Sequence, residues 1–480
     1  MWTSLVFFAL ATAVRVNSGS SGLPVDKVYG VNLGSWLVLE PWMLPNEWVS
    51  MGGDTCFETG SCADCAASEF DLVKKIGQTK ADQVFQNHWE TWFTQSDVNN
   101  IANAGLNTVR IPMGYWIIED LVNRTTEFYP RGGIKQLKRG LQQLKNARIN
   151  VLLDFHAMPG VSSSLQMFAG HCTSDVEFYT PPNYFRALQW AAVTTFISHV
   201  DPAFSTVFGI EAVNEPLMDS TQTPGYGDYL TDFTLVVRAM EFVLGITCPN
   251  VEYASLLKVS TPANSRRSNA TASSGSSLSL SSLASNVGGR AGQILLSVIP
   301  IIADVSIELG VPNPLASALF GGLLGGVNRQ CLHTTFMDVL WQNVQGFNPA
   351  NAVQGPAMFD DHLYYNFGGV ADPNPTAYMT SICNLPRVQN DTSLGNIPMV
   401  FGEWSIATNF NATDQFLTQW ADAQKLMYSQ SSGWIFWSFK IENGNSDQRE
   451  WDYFTALEAG HFTKNPAVLN DPHVCDSFRT

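Results

Sequence analysis

Short apolar runs alternate with amphipathic stretches along most of this chain, and that alternation limits it to few folds. Lys27 to Leu33, Asn107 to Pro112, Ile149 to Phe155, Thr206 to Ile210, Ala357 to His362, Ile397 to Glu403 and Gly433 to Ser438 read as strands. Between them, Ala81 to Ala104, Gly133 to Ala147, Ala187 to Val200, Thr231 to Leu244 and Thr413 to Tyr428 carry apolar residues at helical spacing. Strands without polar alternation are buried on both faces, and strands alternating with helices make a parallel sheet covered by helices. The predicted fold class is α/β: a (β/α)8 TIM barrel with a long Ser-rich and apolar insertion. A barrel of roughly 250 residues with long loops would use most of a 480-residue chain.

Two strands end in acids. Glu215 lies in Val213-Asn214-Glu215-Pro216, after the fourth run, and Glu403 lies in Phe401-Gly402-Glu403-Trp404. The C-terminal ends of barrel strands are where catalytic side chains gather. Two carboxyl groups meeting there suffice for glycoside hydrolysis, one donating a proton and one attacking or activating water. A single such acid is as readily structural, so the pair carries the reading. Arg110, His156, Asn214, His362, Tyr364 and Trp437 also fall at strand ends. Taken singly, Arg110 reads as a barrel-end salt bridge, His156 as a core histidine and Trp437 as a cap.

The pattern breaks over 257–330. Asn264 to Ser285 is Ser-rich and of low complexity, which predicts disorder. Leu309 to Val327 is uncharged over 19 residues, but two prolines and five glycines argue against a membrane span. A helical hairpin packed on the barrel, or a loop covering part of it, is expected instead. The predicted organisation is a signal peptide at 1–18, barrel segments at 26–256 and 331–478, and the insertion between them. Val251 to Leu257 and Cys331 to Thr335 could each supply the fifth strand. An insertion before that strand lies at the barrel bottom; one after it overhangs the catalytic end.

The net charge of −16 argues against nucleic acid and anionic membranes. Leu5 to Val14 reads as the apolar core of a secretory leader, though no Lys or Arg precedes it. Eight cysteines suit an exported, disulfide-bonded chain. Cys62-Ala63-Asp64-Cys65 has metal-site spacing, but no second CxxC or paired His accompanies it, so disulfides are favoured. Cys248 and Cys331 flank the insertion and are expected to close it. Asn123, Asn269, Asn390 and Asn411 sit in N-glycosylation triplets. No metal-ligand set is visible, and no cofactor is required.

Larger blocks sharpen the reading. They are Gly30-Val31-Asn32-Leu33-Gly34-Ser35-Trp36-Leu37-Val38-Leu39-Glu40-Pro41, His88-Trp89-Glu90-Thr91-Trp92, Leu106 to Trp116, Asp154-Phe155-His156, Asn214-Glu215-Pro216, Asp361-His362-Leu363-Tyr364, Gly402-Glu403-Trp404 and Phe436 to Lys440. In this order they resemble glycoside hydrolase family 5, and within it the fungal and oomycete exo-β-1,3-glucanases. The resemblance implies a retaining mechanism with Glu215 as acid/base and Glu403 as nucleophile. Arg110 and Tyr364 would keep Glu403 ionised, and Asn214 would bond the sugar 2-OH. His156 and His362 would orient substrate and catalytic groups. Trp437 would floor the first sugar, and Glu40 would grip the terminal sugar and block the groove. A Cys383–Cys475 pair would tie the C-terminal tail.

The expected substrate is a β-glucan polysaccharide or oligosaccharide, cleaved by a monomeric enzyme outside the cell or at its wall. One departure weakens the exo assignment. The family carries an acid for the terminal glucose in the loop after His156, and Ala157 to Phe168 has none. An endo-β-1,3- or β-1,6-glucanase therefore stands as an alternative, and a non-catalytic glucan-binding wall protein as another.

Overall fold

The structure, a computed structural model, describes residues 22–257, 280–311, 330–341 and 346–479. Eight parallel strands close into one barrel in sequence order. They are β1 (Val28–Asn32), β2 (Thr108–Gly114), β3 (Asn150–Ala157), β4 (Val207–Glu211), β5 (His333–Met337), β6 (Ala357–His362), β7 (Met399–Glu403) and β8 (Gly433–Phe436). Helices pack outside, so nearly every strand residue is buried. The expected (β/α)8 barrel is present.

The helices follow their apolar spacing. In Gly133–Asn146, Ile134, Leu137, Leu141 and Leu144 are buried along one face. Gly140 lets this helix approach closely, because a Cβ there would lie 2.4 Å from the Trp36 ring. The stretch Ala81 to Ala104, read as one periodic run, forms two helices, Gln78–Trp92 and Gln95–Asn103. The break has a local cause. Thr94 and Asp97 form a reciprocal capping box that starts the second helix.

Register settles the open question about the fifth strand. Gly209 pairs with His333 and Ile210 with Thr334, so β5 follows the insertion. The insertion therefore leaves the helix Tyr226–Val243 and returns at the N-terminal end of the barrel, away from Glu215 and Glu403. Its helices Gly289–Ser297 and Ile299–Glu308 pack on the neighbouring helices Pro181–Val200 and Tyr226–Val243. Arg290 pairs with Asp232, and Gln189 donates to Ser297. The segment packs on the barrel helices as expected, but as one bent pair of helices rather than a hairpin. Among the described residues no single helix is long and apolar enough to cross a membrane; the two insertion helices pass that test only together, bent by 44°. The leader, the Ser-rich stretch to residue 279 and residues 312–329 lie outside the described residues.

Four disulfides form. Cys248–Cys331 and Cys383–Cys475 are the two expected. Both sulfurs of the CxxC are also in disulfides, Cys65 with Cys56 and Cys62 with Cys172. The second ties the segment before Glu69 to the long loop after β3. Asn123, Asn390 and Asn411 are exposed, and Asn269 lies outside the described residues.

Candidate active site

Strand alternation builds the site in tiers. Side chains two apart on a strand share a face. Leu152, Asp154 and His156 thus line up along β3, and Met358, Asp360 and His362 along β6. Arg110 of β2 is fully buried at the centre. Its Nε donates to Glu211 Oε2 at 3.0 Å, Nη1 to Glu403 Oε1 at 2.8 Å, and Nη2 to Asn214 Oδ1 at 2.8 Å. Asp154 lies 3.0 Å from Nη1, and Asp360 lies 3.3 Å from Nε. A guanidinium is the one side chain with enough fixed donors for this task. Burial alone would push Arg110 down; Asp154, Glu211, Asp360 and Glu403 outweigh it and hold the guanidinium well above its ordinary value. Gly402 makes room for this tier, since a Cβ there would lie 1.9 Å from Asp360 Oδ1.

Above it sit the two acids. Tyr364 donates to Glu403 Oε2 at 2.9 Å, and His362 Nδ1 meets Glu215 Oε1 at 2.8 Å. Single ligand atoms of Glu215, His362 and Glu403 all lie within 4.8 Å of one another. These three groups could be read as metal ligands. However, Arg110, Tyr364 and the bond between His362 and Glu215 already engage them.

Protonation follows from the charge balance. Five acids (Asp154, Glu211, Asp360, Glu403, Glu215) crowd three bases (Arg110, His156, His362), so the cluster must hold protons to stay buried. Burial would lower His362, but Glu403, Asp360 and Glu215 hold it well above its usual value, hence cationic. His156 is raised in the same way by Asp154, against the effect of burial. Glu211 is pushed well up by burial, with Asp360 and Asp154 adding and Arg110 opposing, so it keeps its proton. For Glu403 the expectation needs amending. Burial raises its carboxyl, His362 and Arg110 pull it back, and nearby Glu215 adds to the rise. Acids this close titrate as a pair. Two donors, Arg110 and Tyr364, point into Glu403, whereas Glu215 Oε1 meets His362 Nδ1.

The other expected residues surround this pair. Asn214 Oδ1 accepts from Arg110 Nη2, while its buried Nδ2 has no partner among the described residues and can donate to a substrate. His156 is fixed by Asp154 at 2.6 Å and stacks on Trp437, centroids 5.7 Å apart and planes 12° apart. Glu40 is buried and accepts from Trp42 Nε1 at 2.9 Å. Burial pushes it up to about 7, against His156 and Trp42.

Sequence reading missed the tier under the acids. Asp154 and Asp360 stand two residues before His156 and His362, so period-2 alternation was the available signal. It also missed Ser163. This residue lies in the loop after β3 and donates to the Glu215 carbonyl at 2.6 Å, where Glu215 has φ +40°. The loop lacking the expected acid therefore holds the backbone of the general-acid candidate.

Comparisons with known proteins agree with this fold. The family model described as Cellulase (glycosyl hydrolase family 5) matches residues 73–443. Glucan endo-1,6-beta-glucosidase B of Emericella nidulans is 28% identical, covering 98% of this chain and 94% of its own. A Neosartorya fischeri protein named "Probable glucan 1,3-beta-glucosidase A" is 26% identical, covering 97% and 95%. Rutinosidase from Aspergillus niger shares the fold, with a TM-score of 0.55 and 18% identity over 92% of this chain and 99% of its own. The match to the model spans most of the barrel and both acids, and the chain belongs to glycosyl hydrolase family 5.

Proposed function

We propose that this chain is a secreted, retaining β-glucan hydrolase that cuts β-1,6-linked glucan internally. The observation that carries retention is the spacing of the two acids. Oxygens of Glu215 and Glu403 lie within 4.8 Å. Retaining enzymes hold their carboxyl groups about 5–5.5 Å apart, whereas inverting ones leave roughly 6.5–9.5 Å for a water. Glu403 attacks the anomeric carbon as the glycosidic C–O bond breaks, and Glu215 gives its proton to the departing oxygen. Water then attacks the same carbon, loses a proton to Glu215, and releases Glu403. Asn214 Nδ2 donates to the sugar 2-OH, and Trp437 with His156 floors the ring.

The linkage rests on two supports. A named endo-1,6-beta-glucosidase is similar over nearly the whole chain. The loop Ala157 to Phe168 has no acid to grip a terminal glucose. Exo-cleavage of β-1,3-glucan is the second reading, favoured by Glu40, buried within the electrostatic reach of both acids. Secretion is supported by the leader-like N-terminus and by four disulfides, which persist in oxidising compartments. The enzyme is taken to act as a monomer.

The deciding experiment follows products by NMR at early times on linear β-1,6-glucan and on laminari-oligosaccharides, with Glu215→Gln and Glu403→Gln as controls. β-configured oligosaccharides from the first substrate support the proposal. β-Glucose alone from the second establishes the exo-1,3 reading instead. An α-configured first product would overturn retention.

A further inference from the structure

Three carboxylates outside the catalytic cluster meet on the outer side of the barrel wall. Asp338 directly follows β5, Asp361 lies on β6 between Asp360 and His362, and Asp391 lies on the helix Arg387–Ser393. All are at most 1% exposed. One oxygen from each lies within 4.8 Å of the other two. Among the described residues Arg387 is the cation that reaches them, its Nε 3.2 Å from Asp361 Oδ2 and its Nη1 4.0 Å from Asp338 Oδ1. One positive charge thus faces three buried acids.

Asp391 marks the deficit. Its side chain is fully buried, and among the described residues neither oxygen has a hydrogen-bond partner, although it points among the other two acids. A bare carboxylate in such a place is too costly to persist without a cation or a proton. Burial pushes Asp391 up to about 7, with Asp338 adding and Arg387 opposing. Asp361 is driven well up for the same reason. The cluster is short of positive charge.

We infer that Asp338, Asp361 and Asp391 form a binding site for a hard divalent cation, calcium in particular. The donors are all oxygen, which suits calcium or magnesium rather than zinc. Calcium takes several carboxylates in flexible geometry at about 2.4 Å, whereas magnesium keeps its waters and usually takes only one or two, so three converging carboxylates favour calcium. The cation has a route to the reaction. Asp338 Oδ1 accepts from the Trp341 backbone N–H at 2.8 Å. Trp341 Nε1 donates to the Pro216 carbonyl at 2.9 Å, and its ring lies edge-on to His362, centroids 5.6 Å apart. Filling the site would fix the Asp338–Trp341 segment, which braces the peptide after Glu215. This consequence for activity rests on the proposed role of Glu215; the binding itself does not.

The test uses the full secreted chain, purified without chelator. Elemental analysis should find about one calcium per chain. After stripping with EDTA, titration with calcium chloride at pH 7.5 should raise Tm with added calcium, by roughly 3 °C at a hundredfold excess over Kd. Magnesium chloride should do less. Asp391→Ala and Asp338→Asn should abolish the calcium-dependent shift, and stripping should lower kcat severalfold, reversibly with calcium. Metal-free protein with the same Tm in EDTA and in calcium overturns the inference. The acids would then hold protons, and Tm would rise on acidification whatever the calcium. Should either variant fail to fold, the metal content and titration of the natural chain decide. A chain that binds calcium but cleaves no β-glucan would refute the proposed function and leave the site standing.

Discussion

The two ends of one barrel interior are built from opposite materials. At the N-terminal end, Val28, Leu152, Met358, Val400 and Ile435 form a dry apolar cluster. Two residues further along the same strands stand Asp154 and Asp360, and two further again His156 and His362. The same pleat that stacks aliphatic side chains below stacks ionised ones above. The lower tier is stabilised by removing apolar area from water, at about 25 cal/mol per Å². The upper tier gains nothing in that way. It stands because Arg110 compensates several acids at once. Damage to the upper tier should therefore show first in rate, and damage to the lower tier in stability alone.

The largest contrast is expected from the acids themselves. Glu403→Gln and Glu215→Gln should each lower kcat by roughly 10³-fold or more while Tm stays within a few degrees. Thermal unfolding beside initial rates checks both halves, and a large Tm loss would break the division of labour. Next is Arg110→Lys, which should fail in both respects. A single ammonium cannot serve Glu211, Asn214 and Glu403 together, so about 3–5 kcal/mol of stability is lost, with most of the activity. Urea unfolding and kcat/KM measure it, and near-natural stability would mean that the acids neutralise themselves with protons. Third, Met358→Ala in the apolar tier should cost about 2–5 kcal/mol yet leave kcat/KM within about twofold. A rate loss as large as that of Arg110→Lys would show that the two tiers are not separable.

The smallest expected effect is one of pH. Burial raises Glu40 from 4.5 to about 7. Between those values the folded chain holds a proton that the unfolded chain has released, so stability falls as pH rises through the window and stays low above it. Glu40→Gln should remove this component, making the variant more stable than the natural chain at pH 8 by at most about 3 kcal/mol, with little difference at pH 4. Paired unfolding curves at the two pH values would show it, and parallel profiles would mean that Glu40 stays solvated.

Much of this was legible in one dimension. The alternation of apolar runs and amphipathic helices predicts the barrel because both periodicities are local properties of the backbone. Glu215 and Glu403 stand out because a polar residue ending a buried strand is conspicuous in sequence. The Cys248–Cys331 pair was legible from its position on either side of the insertion. The capping box that splits Ala81 to Ala104 into two helices was missed, since the apolar spacing continues across it. Asp154 and Asp360 were passed over for the histidines beside them.

The sequence by itself thus determined the fold class, seven of the eight strands and the strand ends at which Glu215 and Glu403 stand, all of which depend on neighbours within a few residues. Only the tertiary structure decided which acids share Arg110, that β5 lies after the insertion, that Cys62 pairs with Cys172, and that Asp338, Asp361 and Asp391 meet. The physical reason is closure. Once eight strands form a ring, register and tilt bring together side chains hundreds of residues apart, and no spacing along the chain encodes a distance across it.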